Sequence, residues 1–370
     1  MKPRHLAVVS LSIVFILGAD RQTPLSLTEM LADGSTEGFA RAAGPRSFRF
    51  PEDHGPHEDF RNEWWYFTGN LMTAGGRQFG YQYTLFRSAL APVDTERESA
   101  WATRQVYMAH FALTDPMQGT FYAHERFSRG AAGLAGAEIR PFRAWLERWE
   151  IRGGEDPPPF RLLVTEGGTS IELELETAKP VVLHGDRGLS QKGSEPGNAS
   201  YYYSYTRMPT RGTVTVGLKT FEVQGSSWLD REWSTSALGE GQVGWDWFAL
   251  QLSDGRDLMV YQLRGVDGRA DALSSGTLVT ADGSSRSLQR DDFAIEILDR
   301  WTSPATGISY PSKWRLVVPT AALDLQITPQ LPDQELDLSF RYWEGSVSVT
   351  GSSHGTAITG LGYVELTGYE

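Results

Sequence analysis

The chain has 370 residues, a formal charge of −12 from 34 basic and 46 acidic side chains, and no cysteine. Disulfides, zinc–thiolate sites, iron–sulfur clusters and thiol nucleophiles are therefore excluded, and an acidic chain without a basic stripe is a poor partner for nucleic acid or an anionic membrane. Hydrophobic residues at 40% supply a substantial core, and 12 Trp, 14 Tyr and 17 Phe beside 39 Gly and 19 Pro make the mixture of aromatic-rich strands joined by tight turns.

Residues 1–19 read as an export signal. Lys2, Arg4 and His5 form a basic start, 6–17 is an apolar run broken only by Ser10 and Ser12, and Gly18-Ala19 offer small residues for cleavage. The apolar run is too short for a comfortable membrane span of about 20 residues. Residues 20–44 are polar and Gly/Ala-rich, with one short helix expected over 25–31, and read as a tether or a segment lying across the folded body. From Phe48 onward, alternating apolar runs predict antiparallel strands at 64–70, 80–86, 106–115, 160–165, 170–177, 212–218, 245–252, 258–264, 314–318 and 345–349. Gly75-Gly76, Gly167-Gly168 and Asp254-Gly255 are hairpin turns. The stretch 140–151 carries both a helical and an alternating pattern, and is read as strand. Residues 185–200 form a long, polar, glycine-rich connection.

An internal repeat organises these runs. Phe67-Thr68-Gly69-Asn70-Leu71 and Phe248-Ala249-Leu250-Gln251-Leu252 stand 181 residues apart, each preceded by Trp and followed by a Gly turn, an Arg and a Tyr-Gln pair (Tyr81-Gln82, Tyr261-Gln262). The division expected is a β domain over 45–205 and a related one over 206–370.

The densest group of reactive side chains is Trp228-Leu229-Asp230-Arg231-Glu232-Trp233. In an extended strand Trp228, Asp230 and Glu232 share one face, with Leu229, Arg231 and Trp233 on the other. A carboxyl beside an indole is poorly solvated, which favours its neutral form and suits a general acid; the alternative is an Arg paired with Asp230 or Glu232. Trp245 and Trp247 present two indoles on one face, with Asp246 and Phe248 opposite, and form either a ligand wall or a core face. Glu63, Trp65 and Phe67 likewise share a face, so Glu63 needs a partner. Asp53, His54, His57, Glu58 and Asp59 surround a Gly-Pro that bars a helix, and read as a charged loop rather than a metal site. His110 lies among apolar neighbours as a core histidine, whereas His124, in a more polar setting, suits a cavity mouth. No nucleophile elbow, phosphate loop or dinucleotide fingerprint occurs.

Taken together, residues 63–71, His110-Phe111-Ala112-Leu113-Thr114-Asp115, residues 197–204, residues 227–233 and the closing 362–369 resemble the AttH-type exported proteins of the carotenoid 1,2-hydratase (hydroxyneurosporene synthase) superfamily. The resemblance implies an all-β chain of two lipocalin-like antiparallel β-barrel or bent-sheet domains packed side by side, with a cavity near their junction. It also implies cofactor-free chemistry on apolar polyenes, in which an acidic residue protonates an alkene, aromatic rings stabilise the cation and water adds. On this chain Asp230 would be the acid and Trp228, Trp245, Trp247 and Tyr261 the aromatic wall, with Glu63, Trp65 and His110 as further ligand-binding residues. The hydratases' His-x-Trp pairing stands here as Trp245-Asp246-Trp247, and Tyr261 is followed by Gln262-Leu263 with no acid.

Two readings stand nearly level. One is a periplasmic or secreted, cofactor-independent and metal-free hydro-lyase or isomerase, carotenoid 1,2-hydratase-like if active, working on an isoprenoid or other apolar substrate. The other is a carrier for a hydrophobic or amphipathic small molecule. A glycan-binding or glycan-hydrolysing protein ranks behind both. The partner expected is that small molecule, bound by a monomer with no stable protein partner and no nucleic acid.

Overall fold

The structure, a computed structural model, describes residues 25–26, 36–93, 99, 101–236, 238–239 and 241–369. The export signal expected at 1–19 and much of the tether lie outside the described residues. Leu25–Ser26, expected to start a helix, form instead a two-residue strand, β1, paired in parallel with Phe340 and Arg341. Further along, the tether lies across the body: Ala42 is buried in the first core and Tyr201 donates to the Gly44 carbonyl at 2.8 Å.

The first sheet opens with β2 (Asn62–Met72), β3 (Gln78–Ala89), β4 (Gln105–Asp115) and β5 (Thr120–Arg129), joined as successive antiparallel hairpins. It continues through β6 (Ala135–Glu138), β7 (Phe142–Leu146), β8 (Trp149–Gly154), β9 (Phe160–Glu166) and β10 (Thr169–Leu175). The ambiguous 140–151 stretch thus contributes β7 and the start of β8. Short β11 (Val182–Leu183) and β12 (Leu189–Gln191) precede the long β13 (Ala199–Val216) and β14 (Lys219–Ser234). Because β14 returns beside β2, the strand order is β5-β4-β3-β2-β14-β13-β10-β9-β8-β7-β6, with β11 and β12 laid on β13.

The second sheet holds β15 (Gln242–Leu252), β16 (Asp257–Gly265), β17 (Ser275–Val279), β18 (Ser285–Leu288), β19 (Ala294–Thr302), β20 (Ser309–Val318), β21 (Leu323–Pro329), β22 (Glu335–Asp337), β23 (Phe340–Ser353) and β24 (Thr356–Leu366). Its order, β18-β17-β16-β15-β24-β23-β21-β20-β19, repeats that of the first sheet from β5 to β8, with β15 in the place of β2 and β24 in that of β14, while β7 and β6 have no counterpart. The repeat at 181 residues is therefore the same hairpin, β2–β3 and β15–β16, at the centre of each sheet. The division expected at 205/206 falls inside β13. The first sheet runs on to Ser234, because β14 joins β13 to β2, pairing with β2 through eleven residue pairs from Gln224–Met72 to Ser234–Asn62.

Each sheet wraps its own apolar core, the first around Phe67, Tyr83, Trp149 and Trp233, the second around Phe248, Trp314, Leu325 and Trp343. A third cluster, including Tyr66, Tyr202, Trp228, Trp247 and Tyr261, lies where the outer faces of the two central hairpins meet. Burial on both faces explains the dense apolar and aromatic content of β2 and β15. The sheets are in close contact at Gly80, where an added Cβ would lie 2.4 Å from the Cβ of Ser346 on β23. Gly80→Ala should therefore force the sheets apart and cost about 1–3 kcal/mol, read as a lower urea midpoint.

Candidate active site

Period-two alternation decides which side chains reach the junction. On β14, Leu229, Arg231 and Trp233 turn into the first core, so Asp230 and Glu232 face outward. On β2 the outward pair is Trp64 and Tyr66, on β15 Trp245 and Trp247, and on β16 Tyr261 and Leu263. Together with Tyr202 of β13, Tyr342 and Glu344 of β23 and Glu365 of β24, they line a cavity of about 80 Å³.

Asp230 is 3% exposed and accepts three hydrogen bonds, from the hydroxyls of Tyr202 and Ser204 and, at 2.6 Å, from the Trp228 indole N–H. Burial pushes its pKa up to about 7, against the pull of those three donors, and the nearby Glu232 charge adds to the rise. Trp247 donates to the Tyr202 hydroxyl at 3.2 Å. Behind Ser204 stands His184, with Nε2 2.6 Å from the Ser204 hydroxyl and Nδ1 2.8 Å from that of Thr277. Ser204 gives its single proton to Asp230, so His184 must donate through Nε2 and accept from Thr277 through Nδ1. Burial, reinforced by Lys192, lowers the His184 pKa to about 3, which keeps that neutral tautomer at working pH.

A second carboxyl pair faces Asp230. Glu344 and Glu365 are direct cross-strand partners on β23 and β24. Glu344 accepts from the Tyr66 hydroxyl, and burial followed by the charge of Glu365 raises its pKa well above the carboxylate range. Glu365 is pushed up to about 8 by burial, with Asp230 and Glu232 adding to the rise and the Trp245 indole opposing it. Lys192, from the 185–200 connection, lies 3.3 Å from Glu232 and 4.0 Å above the Tyr261 ring. Burial opposes its charge, but Glu232 leaves its pKa raised overall. That connection therefore folds back over the cavity, with Ser190 3.0 Å from the Tyr261 hydroxyl.

A raised carboxyl pKa has a signature in stability. Asp230 binds a proton more tightly folded than unfolded, so its contribution is present below its ordinary value of 3.8 and is lost as pH rises through about 7. The melting temperature of Asp230→Asn should accordingly fall less than that of the parent chain between about pH 5 and pH 8.

The AttH-like family model matches residues 41–369 of the chain. This protein belongs to the AttH-like family. The crystal structure of an AttH protein from Nitrosomonas europaea is 34% identical and covers 90% of this chain and 100% of its own, with a TM-score of 0.80. Kievitone hydratase of Fusarium solani subsp. phaseoli is 24% identical over 220 residues, which span 56% of this chain and 59% of that protein. The crystal structure of kievitone hydratase from Nectria haematococca, at 14% identity and a TM-score of 0.66, covers 94% of this chain and 98% of its own and shares the fold.

In this AttH-like chain Asp230, Trp245, Trp247 and Tyr261 meet in one cavity, as the sequence suggests. Trp228 stands behind the cavity wall and acts through its bond to Asp230. Glu63 and Trp65 do not reach the cavity. Alternation along β2 turns them into the first sheet, where Glu63 pairs with Arg87 and Arg231 and the Trp65 indole donates to the His54 carbonyl at 2.8 Å. Among the described residues no guanidinium pairs with Asp230. His110 is fully buried and does not line the cavity; it stands behind the wall, 2.7 Å from the Tyr342 hydroxyl and against the Phe86 ring. His124 bonds Thr169 at 2.9 Å, away from the cavity lining. His57 sits between Asp53 at 3.1 Å and Glu63 at 3.3 Å and stacks on Trp233, binding the charged loop to the first sheet.

Sequence reasoning missed Trp64, Tyr66, Tyr202, His184, Lys192, Glu344 and Glu365. Trp64 and Tyr66 were legible as the opposite face of a strand already chosen, and Glu365 stands within the closing motif. Nothing local marks Glu344 or His184, which reach the site only through the pairing of β23 with β24 and the placement of the segment before β12.

Proposed function

We propose that this AttH-like protein is an exported, cofactor-independent hydratase that adds water across an alkene of an apolar, isoprenoid-class small molecule. The observation that carries this reading is Asp230, a buried carboxyl poised near neutrality on the wall of an indole- and phenol-lined cavity. Its proton would pass to the less substituted alkene carbon, leaving a tertiary cation opposite the aromatic faces and Asp230 as carboxylate. Water then bonds to the cationic carbon, and the proton it sheds returns to Asp230, so the acid is regenerated and the net change is one added water. Aromatic faces attract positive charge, which lowers the energy of the intermediate. The similarity to a protein named kievitone hydratase supports the reaction class.

The test is to incubate the purified chain with prenylated phenols and acyclic polyenes in heavy-oxygen water and follow the product mass. Incorporation of one labelled oxygen by the parent chain and none by Asp230→Asn is the expected result. The carrier reading has one observation in its favour, since both oxygens of Asp230 already accept bonds. An unchanged molecule co-purifying in native mass spectrometry, with no hydration across the panel, would establish it instead.

A further inference from the structure

We propose that the cavity is a receptor for an amphipathic monocation, a hydrocarbon body carrying one positive charge such as an alkyl quaternary ammonium. The charge inventory leads there. Asp230, Glu232, Glu344 and Glu365 line the cavity with a single ammonium, Lys192, which Glu232 takes at 3.3 Å. Three carboxyls remain, and among the described residues none of them forms an ion pair with lysine or arginine. Burying such groups without a countercharge is costly, and protonation is the way out in an empty site.

Independently, the Glu344 side chain points to a ligand. It is 1% exposed and lines the cavity, yet its Oε2 has no well-formed hydrogen bond, although the Tyr342 hydroxyl stands beside the carboxyl. The walls supply the other half of a cation site, with Trp64, Trp245 and Trp247 offering indoles. Lys192 already shows what these rings attract, its ammonium lying 4.0 Å from the Tyr261 ring centre and 5.3 Å from that of Tyr202. An anionic ligand would meet repulsion, and a neutral one would gain burial alone. The same complementarity would favour the cation of the proposed hydration. For that meaning the inference rests on the hydratase reading, but binding does not require turnover.

Binding should be linked to protons. Facing the carboxyls are Tyr66 from β2, Tyr202 from β13, Tyr342 and Tyr363 from their own strands, and Tyr261 from β16, while Lys192 and Glu232 form the ion pair above. Burial holds Tyr66, Tyr202, Tyr342 and Tyr363 well above their usual range. His110, behind Tyr342, and His184, behind Ser204, are both lowered to about 3 and stay neutral. Proton release near neutrality therefore falls to Asp230 and Glu365, and a bound cation favours the ionised forms of all three carboxyls.

Isothermal titration of the full chain with hexyltrimethylammonium, hexan-1-ol and hexanoate, in buffers of different ionisation enthalpy, tests this. The ammonium should bind about tenfold more tightly at about pH 8.5 than at about pH 6, with proton release, while hexan-1-ol shows no pH dependence and hexanoate binds weakest. Glu344→Gln and Glu365→Gln should weaken ammonium binding and flatten its pH dependence, with thermal melts confirming their folding. If either fails to fold, proton release by the parent chain decides. Equal affinity for the alcohol and the ammonium at the higher pH, or ammonium binding without proton release, overturns the inference. Ammonium binding with release but no hydrated alkene sinks only the hydratase reading, whereas hydration without ammonium binding sinks only this one.

Discussion

Glu63→Ala should destabilise the chain by about 3–5 kcal/mol, measured as the loss in urea unfolding free energy at neutral pH. Glu63 is fully buried between two fully buried guanidiniums, those of Arg87 and Arg231. Its carboxylate also receives the His57 backbone N–H at 3.0 Å. Arg231 donates on to the Gly55 carbonyl at 2.5 Å, and Arg87 to the Phe60 carbonyl at 2.8 Å and to Gln105 at 2.6 Å. The network thus fastens the loop before β2 onto β2, β3 and β14. Removing the carboxylate leaves two cations in a dry interior, whereas Glu63→Gln keeps shape and an acceptor and should cost less. The pH dependence has a definite sign. Burial opposes the Glu63 charge, but Arg87 and Arg231 outweigh it and hold the pKa well below its ordinary value of 4.5. Its stabilisation is therefore present above that value and disappears as acid brings the pH down through the folded pKa. The gap between parent and Glu63→Ala should narrow in acid, and a gap independent of pH would show that the ion pairs are not the anchor.

Asp230→Asn should lower turnover on any alkene that the chain hydrates by about 10²–10⁴-fold while leaving ligand binding and the fold in place. Asparagine keeps the size and one acceptor for Tyr202, Ser204 and Trp228 but has no proton to deliver. Because the reaction needs the protonated acid, the parent rate should fall as pH rises through about 7. Tyr202→Phe or Ser204→Ala removes a donor that favours the carboxylate, so each should shift that fall to higher pH. Initial rates across pH, with melting curves as the control on folding, separate the alternatives. A variant Asp230→Asn that retains the full rate would remove this carboxyl from the chemistry. The slope is opposite to that expected for ammonium binding, so a single pH series on the two processes distinguishes a proton donor from an anionic receptor.

How far these elements could be read in advance varies along the chain. Every strand expected from alternation lies within or overlaps a strand of the structure, and Gly75-Gly76, Gly167-Gly168 and Asp254-Gly255 turn the hairpins β2–β3, β9–β10 and β15–β16. The face partition of β14 was equally legible, and with it the exposure of Asp230 to the junction. Glu63 and Trp65 were misplaced for an instructive reason. Both faces of β2 are buried and both carry aromatics, so its pattern has no solvent side from which to tell the sheet's interior from the cavity. The boundary at 205/206 failed similarly, because the glycine-rich 185–200 segment has the composition of a linker while its backbone pairs with β13.

Strand, turn, repeat and side-chain partition are properties of a few neighbouring residues, since they follow from backbone sterics and a period of two, and the linear chain therefore carried them, along with the exclusion of thiol chemistry. Which buried face became a cavity was chosen by the packing of one sheet against the other. That packing brought Glu344 and Glu365 opposite Asp230 and Thr277 up to His184, while pairing between distant strands of the first sheet set His184 behind Ser204 and Arg231 against Glu63. Each of those pairings depends on the free energy of burying charge at a contact between distant segments, and no local pattern records it.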